Sequence, residues 1–389
     1  MNEIHKKGWN KTTFGEVCKN LNLSEHEPLA SGIERYVGLE HIETGNLHIK
    51  RFGNVAEGTT FTKKFLSGHV LFGKRRAYLK KAAIADFDGI CSGDILVFEA
   101  NEKIIHKKLL PFLVSSDRFF DFAVQTSAGS LSPRTKFQDL TKFEFLLPPK
   151  EQQAKLAEFL WAGDDVVEKY TDLEKTIVKS ILYYTDKELF YSKPKKELRK
   201  KQKLIEYCVN KPKYGANAAS KPYVLNSPRY IRITDINDDG RLIETGIVSI
   251  DSENYEEYLL HEGDFLFART GNTVGKTFLF RNSDGISVYA GYLIKFSLDV
   301  KKLKPEILEI FCKSTTYQRF LKSVVKVGAQ PNINAEQYSN IEIPLISIEE
   351  QNEILKQYSY LNKSLVEIRK NLNCLKQIQK QLINQIFGG

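Results

Sequence analysis

The apolar and polar positions along the chain predict short β-strands interrupted by a helical stretch. From Thr12 to about Pro149, strand-like runs alternate with glycines and aspartates that favour turns. The clearest runs are 35–42, 69–72 and 95–98. Between Ile104 and Gln125 the apolar residues recur at helical spacing, which predicts one helix with Pro111 in its first turn.

The second half of the chain repeats the first half in the same order. The stretch 36–42 corresponds to 230–236, and the helical pattern recurs 198 residues later. Residue identity is low while the apolar pattern persists, so we expect two domains with one fold and different surfaces. The helical apolar positions are predicted to be core rather than ligand sites: Leu109, Leu110, Phe112, Leu113, Phe119, Phe122 and Ala123, and then Ile307, Leu308, Ile310, Phe311, Tyr317, Phe320 and Leu321.

Each copy runs into a long helix with an apolar stripe at alternating spacings of four and three. Such a stripe with charged flanks predicts a coiled-coil seam, and each helix would have about 35 residues and a length of about 50 Å. The two helices should pack together, although packing against the chain's own domains is the alternative. The seam positions are Val166, Tyr170, Leu173, Ile177, Ile181 and Tyr184, and then Ile354, Tyr358, Leu361, Leu365, Ile368, Leu372, Leu375 and Leu382.

The composition favours a polyanionic partner without requiring one. The 389 residues include 57 Lys and Arg against 48 Asp and Glu, a formal net charge of +9. A basic protein with no such partner is the alternative. The five cysteines form no C-x-x-C pair and are expected to be reduced thiols. The polar start and the lack of a long apolar run predict a cytoplasmic protein that is neither exported nor embedded in a membrane.

A basic segment separates the first long helix from the second copy. Seven of the eleven residues 193–203 are Lys or Arg, and the turn-rich stretch 210–226 follows. The segment could contact phosphates, or it could be a solvated connector.

The loop 268–277 resembles a phosphate-binding P-loop but has the wrong spacing. Only three residues separate Gly271 from Gly275, whereas a P-loop needs four. The β-branched and aromatic residues from Thr277 onward predict the return strand of a hairpin instead of a helix. We therefore do not expect ATP binding. A P-loop at this position would predict ATP binding that is lost in Lys276→Ala.

The equivalent loop of the first copy suits DNA groove reading, because arginine pairs with guanine and lysine contacts phosphate. A solvated loop tip is the alternative. The candidate residues of this loop are Lys74, Arg75, Arg76, Tyr78, Lys80 and Lys81. The second copy offers a different set on the same frame, namely Arg269, Thr270, Asn272, Thr273 and Lys276.

A second pair of matching positions lies further along each copy, at Arg134 and Lys136 and at Gln330 and Asn332. Asn and Gln pair well with adenine, but they also cap turns. Arrangements typical of a methyltransferase, a nuclease or a metal centre are absent from the sequence, so we expect a protein that binds without catalysis.

Four motifs resemble those of specificity subunits of type I restriction-modification systems, and the resemblance covers nearly the whole chain. They are Phe145-Leu-Leu-Pro-Pro-Lys-Glu-Gln-Gln153, Tyr230-Ile-Arg-Ile-Thr-Asp-Ile236, Gly263-Asp-Phe-Leu-Phe-Ala-Arg-Thr-Gly-Asn-Thr-Val-Gly-Lys276 and Gly328-Ala-Gln-Pro-Asn-Ile333. The first copy departs from the pattern at Gly73-Lys-Arg-Arg76.

The resemblance implies an α+β fold in which two tandem target recognition domains with pseudo-twofold symmetry are joined by two long antiparallel coiled-coil helices. The expected boundaries are 1–149 for the first domain, 150–190 for its helix, 191–225 for the basic linker and the start of the second half, 226–348 for the second domain and 349–389 for the last helix.

The resemblance also implies partners. We expect double-stranded DNA with two half-sites about one turn apart. Methyltransferase subunits and an ATP-dependent restriction subunit would bind S-adenosylmethionine, ATP and Mg²⁺, and this chain would hold no cofactor. The alternative is a non-catalytic coiled-coil adaptor that binds proteins.

Overall fold

The computed structural model describes residues 6–192, 197–324 and 331–388. They form two compact units, one made of residues 1–172 and 369–389 and the other of residues 173–368. Each unit contains one copy of the repeat and parts of both long helices. The two copies can therefore be compared element by element.

The described part of the first unit contains ten short strands and the helices between them. In chain order the strands are β1 (Asn10–Thr13), β2 (Cys18–Leu21), β3 (Arg35–Val37), β4 (Gly53–Asn54), β5 (Lys63–Phe65), β6 (Val70–Gly73), β7 (Ala82–Ile84), β8 (Gly89–Cys91), β9 (Ile95–Ala100) and β10 (Glu144–Leu147). The helices are α1 (Phe14–Val17), α2 (Leu110–Ser115), α3 (Asp117–Gln125), α4 (Phe137–Leu140) and the long α5 (Lys150–Phe190), which continues into the second unit.

The second unit repeats this layout. Its strands are β11 (Lys201–Lys203), β12 (Lys213–Tyr214), β13 (Ser220–Pro222), β14 (Arg229–Ile231), β15 (Val248–Ile250), β16 (Phe265–Ala268), β17 (Thr277–Leu279), β18 (Ser287–Tyr289), β19 (Leu293–Phe296) and β20 (Glu342–Pro344). Its helices are α6 (Pro305–Phe311), α7 (Thr315–Val324), α8 (Ala335–Ser339) and the long α9 (Ile348–Phe387).

The sheets of the two copies match closely. The order β2-β9-β6-β7 in the first copy corresponds to β12-β19-β16-β17 in the second, and both sheets are antiparallel. A second four-stranded sheet in each copy contains one parallel pair, β3 with β8 and β14 with β18, which is central in the first copy and lies at one edge in the second. It gains a different edge strand, β5 beside β8 in one copy and β13 beside β15 in the other. The repeated α+β fold is confirmed.

The predicted single helix over 104–125 is wrong, because the chain forms two helices there. Ser116 has extended backbone between α2 and α3, and its hydroxyl accepts a hydrogen bond from the Phe119 N–H as an N-cap. The second copy has the same interruption between α6 and α7, where the Ser314 hydroxyl accepts from the Tyr317 N–H. The predicted core positions lie inward in both copies, with Phe122, Phe320 and Leu321 only partly buried.

The long helices have 41 and 40 residues, which is longer than the roughly 35 residues that the apolar stripe alone predicts. On α9 the predicted stripe lies inward, since Leu365 and Leu372 are buried and the other positions are at least partly buried. Part of this stripe packs on the chain's own domains, because Ile354 and Tyr358 pack with the core of the second copy and Leu382 with that of the first. On α5 the seam prediction is wrong at Val166 and Leu173, which are exposed, whereas Val167 is buried. Two adjacent valines fit either phase of the stripe, and the packed neighbours determine which one turns inward.

The end of one long helix completes the core of each copy. Ile386 and Phe387 of α9 lie in the core of the first copy, together with Ala157 and Leu160 from the start of α5. In the second copy, Leu189 and Phe190 from the end of α5 share a core with Ile354 from the start of α9. Within each unit the two helices therefore run antiparallel, as expected.

A buried glutamine anchors the start of each long helix with the same three hydrogen bonds. The Gln153 amide donates to the carbonyls of Ile104 and Pro148 and accepts from the His106 N–H. Gln351 makes the same bonds with Lys302, Ile346 and Lys304, each 198 residues further along the chain. The shared Glu-Gln motif therefore fixes the junction between domain and helix.

Candidate nucleic-acid interface

The first candidate loop connects β6 to β7 as a hairpin. Arg76 and Lys80 adopt the left-handed backbone conformation, with φ of 53° and 48°, around a single 3₁₀ turn in which Ala77 is buried. Arg76 and Tyr78 are exposed, and Lys74 is partly buried. The tight backbone therefore presents the Arg76 and Tyr78 side chains to solvent.

A second loop, residues 127–136, is connected to this hairpin by main-chain hydrogen bonds. The Arg76 N–H donates to the Pro133 carbonyl, and the Thr135 N–H donates to the Lys74 carbonyl. Arg75 and Arg134 thus form an isolated antiparallel β-bridge between the two loops. The structure brings together candidate residues that are almost sixty positions apart in sequence.

A carboxylate holds these two arginines. The Asp94 carboxylate accepts from Arg134 Nε at 2.9 Å and from Arg75 Nη1 at 3.3 Å, while Arg75 Nε donates to the Ser132 hydroxyl at 2.6 Å. Burial opposes ionisation of Asp94, but the guanidinium groups of Arg134 and Arg75 outweigh it and lower its pKa. The cluster therefore combines two positive charges with one negative charge at the protein surface.

The remaining first-domain candidates differ in whether their side chains already have a partner within the protein. Lys80 forms a 2.5 Å ion pair with Asp117, and Lys81 donates to the Leu39 carbonyl at 2.6 Å, so both side chains have internal partners. Lys136 is exposed at the N-terminus of α4. Burial opposes ionisation of Asp117, yet hydrogen bonds from Lys80, Asn384 and Lys380 lower its pKa to about 2.

The second domain uses the same two-loop frame. The Gly271 N–H donates to the Pro331 carbonyl, and the Ile333 N–H donates to the Arg269 carbonyl. Thr270 forms an isolated antiparallel β-bridge with Asn332. Asn332 therefore takes the place of Arg134, and Thr270 the place of Arg75. Asn332 is exposed. Gln330 lies outside the described residues, and the Asn272 side chain is not described.

Aromatic residues replace the acidic group in the second domain. The turn that carries Asp94 in the first domain carries Tyr292 here, and its side chain is 60% exposed. The Arg269 guanidinium lies 4.8 Å from the centre of the Tyr214 ring, a cation–π contact, and its buried Nε has no hydrogen-bond partner among the residues that the structure describes. The Tyr214 hydroxyl accepts from the Ala335 N–H, which fixes the ring.

The P-loop-like segment is a hairpin, as predicted, because β16 pairs antiparallel with β17. Lys276 donates to the Ile236 carbonyl and pairs with Asp238 at 2.7 Å, and the Thr273 hydroxyl donates to the Thr270 carbonyl. These contacts give Lys276 the position that Lys81 holds in the first domain.

Part of the basic segment contributes to the fold of the second domain. Arg199 forms a bidentate pair with Glu350 at 2.7 and 3.0 Å, and Lys201 pairs with Glu342. Residues 193–196 lie outside the described part of the chain. In residues 6–192, 197–324 and 331–388, no helix is long and apolar enough to cross a membrane. Over the same ranges, no group of three His, Cys, Asp or Glu could hold a metal ion.

Two copies of one α+β domain, each with a two-loop polar surface and a long helix, define a tandem recognition protein. Residues 6–183 and 187–380 match the family described as type I restriction modification DNA specificity domain. The chain belongs to this family, as the sequence motifs indicated.

Curated relatives match over shorter stretches. The specificity subunit of the type I restriction enzyme EcoDI of Escherichia coli is 31% identical over 166 residues, which is 41% of this chain and 36% of that protein. The MjaVIII specificity subunit of Methanocaldococcus jannaschii is 26% identical over 132 residues, 34% of this chain and 30% of that protein. The matched stretches thus span about a third of each relative.

Solved structures support the fold along the whole chain. A chain from a study of complex assembly and conformational transition of the type I R-M system has a TM-score of 0.60 at 19% identity, with 99% of this chain and 98% of that chain covered. The type I restriction-modification S subunit from M. genitalium has a TM-score of 0.58 at 14% identity, with 97% and 96% covered.

The sequence did not indicate Asp94 as a partner of the arginines, nor Tyr214 and Tyr292 as parts of the site. A signal was present, because Gly93 aligns with Gly291 at the offset of 198 and places Asp94 opposite Tyr292. The contact with Tyr214 has no such signal, since it depends on how β12 is positioned beside β19.

Proposed function

We propose that this protein is the DNA sequence-specificity subunit of a type I restriction-modification complex, and that each domain reads one half of a bipartite site. The observation that carries the proposal is the pair of equivalent two-loop surfaces, which share main-chain bonds and differ in side chains. The first presents arginines, and the second presents Asn332, Arg269 and two tyrosines. Such differences suit two half-sites of different sequence.

The side chains support DNA as the ligand. Arginine forks bind guanine edges, asparagine binds adenine, and exposed lysines and aromatics suit the backbone and sugars. The proposed base-contacting set is Arg76, Tyr78, Arg134, Arg269, Thr270 and Asn332, with Lys74 and Lys136 on phosphate. Arg75, Lys80, Lys81, Thr273 and Lys276 support the loops through their internal contacts.

The subunit would act by recognition, without a catalytic step of its own. Methyltransferase and restriction subunits would supply the chemistry together with S-adenosylmethionine, ATP and Mg²⁺. Work on DNA in such a complex would place the protein in the cytoplasm.

Selection from a random duplex pool tests this proposal. The full-length chain, co-produced with the genes that flank its own, should enrich a split site of two different halves. Exchange of residues 1–149 for the domain of a homologue should change one half only. A change in both halves would overturn the modular reading, and enrichment of no sequence would favour a protein-binding adaptor.

The salt dependence of binding tests the phosphate contacts. Replacement of Lys74 and Lys136 by alanine should reduce the slope of log K against log salt by about two, because each phosphate contact releases roughly one counterion. A slope equal to that of the wild type would show that these lysines do not contact phosphate.

A further inference from the structure

We propose that Arg134 reads a guanine in the first half-site and that Asp94 is the positioning residue that fixes its fork. This inference rests on the proposed function and deepens it to one side chain and one base. It starts from the atoms by which Asp94 holds Arg134.

Asp94 binds Arg134 only through Nε, at 2.9 Å. Within the described residues, Nη1 and Nη2 of Arg134 have no hydrogen-bond partner, and the side chain is 49% exposed. A guanidinium fixed at Nε keeps its other N–H groups free for the two acceptors of guanine, O6 and N7. Anchoring also reduces the entropy that ordering of the arginine would cost on binding.

Arg75 is less suited to this task. Its Nε donates to Ser132 and its Nη1 to Asp94, so two donor positions are already occupied. Arg75 therefore braces Asp94 from the opposite side, and of the two arginines that contact Asp94 it is Arg134 whose Nη1 and Nη2 stay available.

The negative charge of Asp94 favours a base over a phosphate as the target of Arg134. A carboxylate beside the contact repels the phosphate backbone, whereas a guanine edge is neutral and offers only acceptors to the groove at this position. The equivalent position in the second domain carries Asn332, which has the donor and acceptor pair that suits adenine. The same frame therefore holds a guanine reader in one domain and an adenine-type reader in the other.

The test compares base preference and non-specific affinity in the full-length chain with its co-produced partners. Arg134→Ala should lose a guanine preference of about 10-fold or more at one position of one half-site. Arg134→Asn should shift that position toward adenine. Asp94→Asn should weaken the guanine preference and yet tighten binding to non-specific duplex, because a negative charge near the DNA is removed.

Arg51→Ala is the matched control, since Arg51 is an exposed arginine of the same unit that pairs with Glu43. It removes the same charge and should leave the consensus unchanged. The inference is overturned if Arg134→Ala keeps the wild-type consensus, or if it weakens binding to all sequences equally, as a phosphate contact would. It is also overturned if Asp94→Asn keeps full discrimination. In those cases a wild-type chain that still enriches a split site leaves the proposed function standing, whereas a wild-type chain that enriches nothing overturns both.

Discussion

In the first domain a carboxylate holds two arginines across the paired loops, while the equivalent turn of the second domain presents Tyr292 and stacks Arg269 on Tyr214. The main-chain bonds beneath are the same in both. The junction between domain and helix is also the same, down to one buried glutamine. The two copies therefore share the polar groups that must be satisfied in the interior, whereas their exposed groups have diverged.

The largest expected difference between the two domains concerns the helix end that completes each core. Phe387→Ala should destabilise the first domain by about 3 to 5 kcal/mol, because a large buried ring leaves a cavity there. Hydrogen exchange should then show reduced protection in β6 and β9, with β16 and β19 unchanged. Phe190→Ala should give the reverse pattern. Equal loss of protection in both domains after either change would show that the two cores do not depend on separate helix ends.

The buried glutamines should show what the copies share. Gln153→Leu leaves the His106 N–H and two carbonyls without their partner, and it should cost about 2 to 3 kcal/mol of unfolding free energy. Gln351→Leu should cost the same, because its three bonds are the same. Denaturant unfolding followed by domain-resolved exchange measures both values. A clear inequality would show that one junction has a support that the other lacks.

Much of the fold could be predicted from the sequence, since buried positions must recur with the period of their element. The repeat, the core of the helical stretch and the hairpin after Gly275 follow from such patterns. The break at Ser116 was missed because apolar spacing continues across it, although a serine before Asp117 is a typical helix start. The prediction of Val166 as a seam position is wrong, because only the tertiary neighbours determine which of the two adjacent valines is buried.

The candidate site was less predictable than the fold. The loops could be identified from their charges, but charge alone does not show which lysine is already paired. Lys80 is held by Asp117, 37 residues away, and Arg134 by Asp94, 40 residues away. Such contacts arise from the sheet order, which local sequence does not encode.

A pH-dependent contact should distinguish the first domain from the second. His48 Nε2 lies 2.6 Å from the buried Asp164 carboxylate, and this hydrogen bond raises the pKa of His48, although burial opposes it. A raised pKa means that the pair stabilises the domain fully below the ordinary histidine value of 6.5. That contribution is lost as the pH rises through the folded-state pKa.

The stability of the first domain should therefore fall as the pH rises above about 6.5, and His48→Gln should flatten this decline. The position equivalent to Asp164 is Asn362, so the second domain should show no matching slope. Domain-resolved exchange at several pH values measures the two curves. A slope of the same size in His48→Gln would assign the pH dependence to another group.

The smallest expected effect concerns Gly163, in the interior of α5 beside Asp164. A Cβ built at this glycine meets no heavy atom within 4 Å, and its backbone is not left-handed. Gly163→Ala should therefore stabilise the first unit by up to about 1 kcal/mol through helix propensity alone. The helix of the second copy already carries Leu361 at the equivalent position, so this change makes the two helices more alike. Thermal unfolding of the full chain measures the shift, with the exposed Ala162→Gly as the opposite control. If Gly163→Ala instead destabilised the protein, the glycine would be required for a bend that places Asp164 against His48, and the helices would differ in shape as well as in surface.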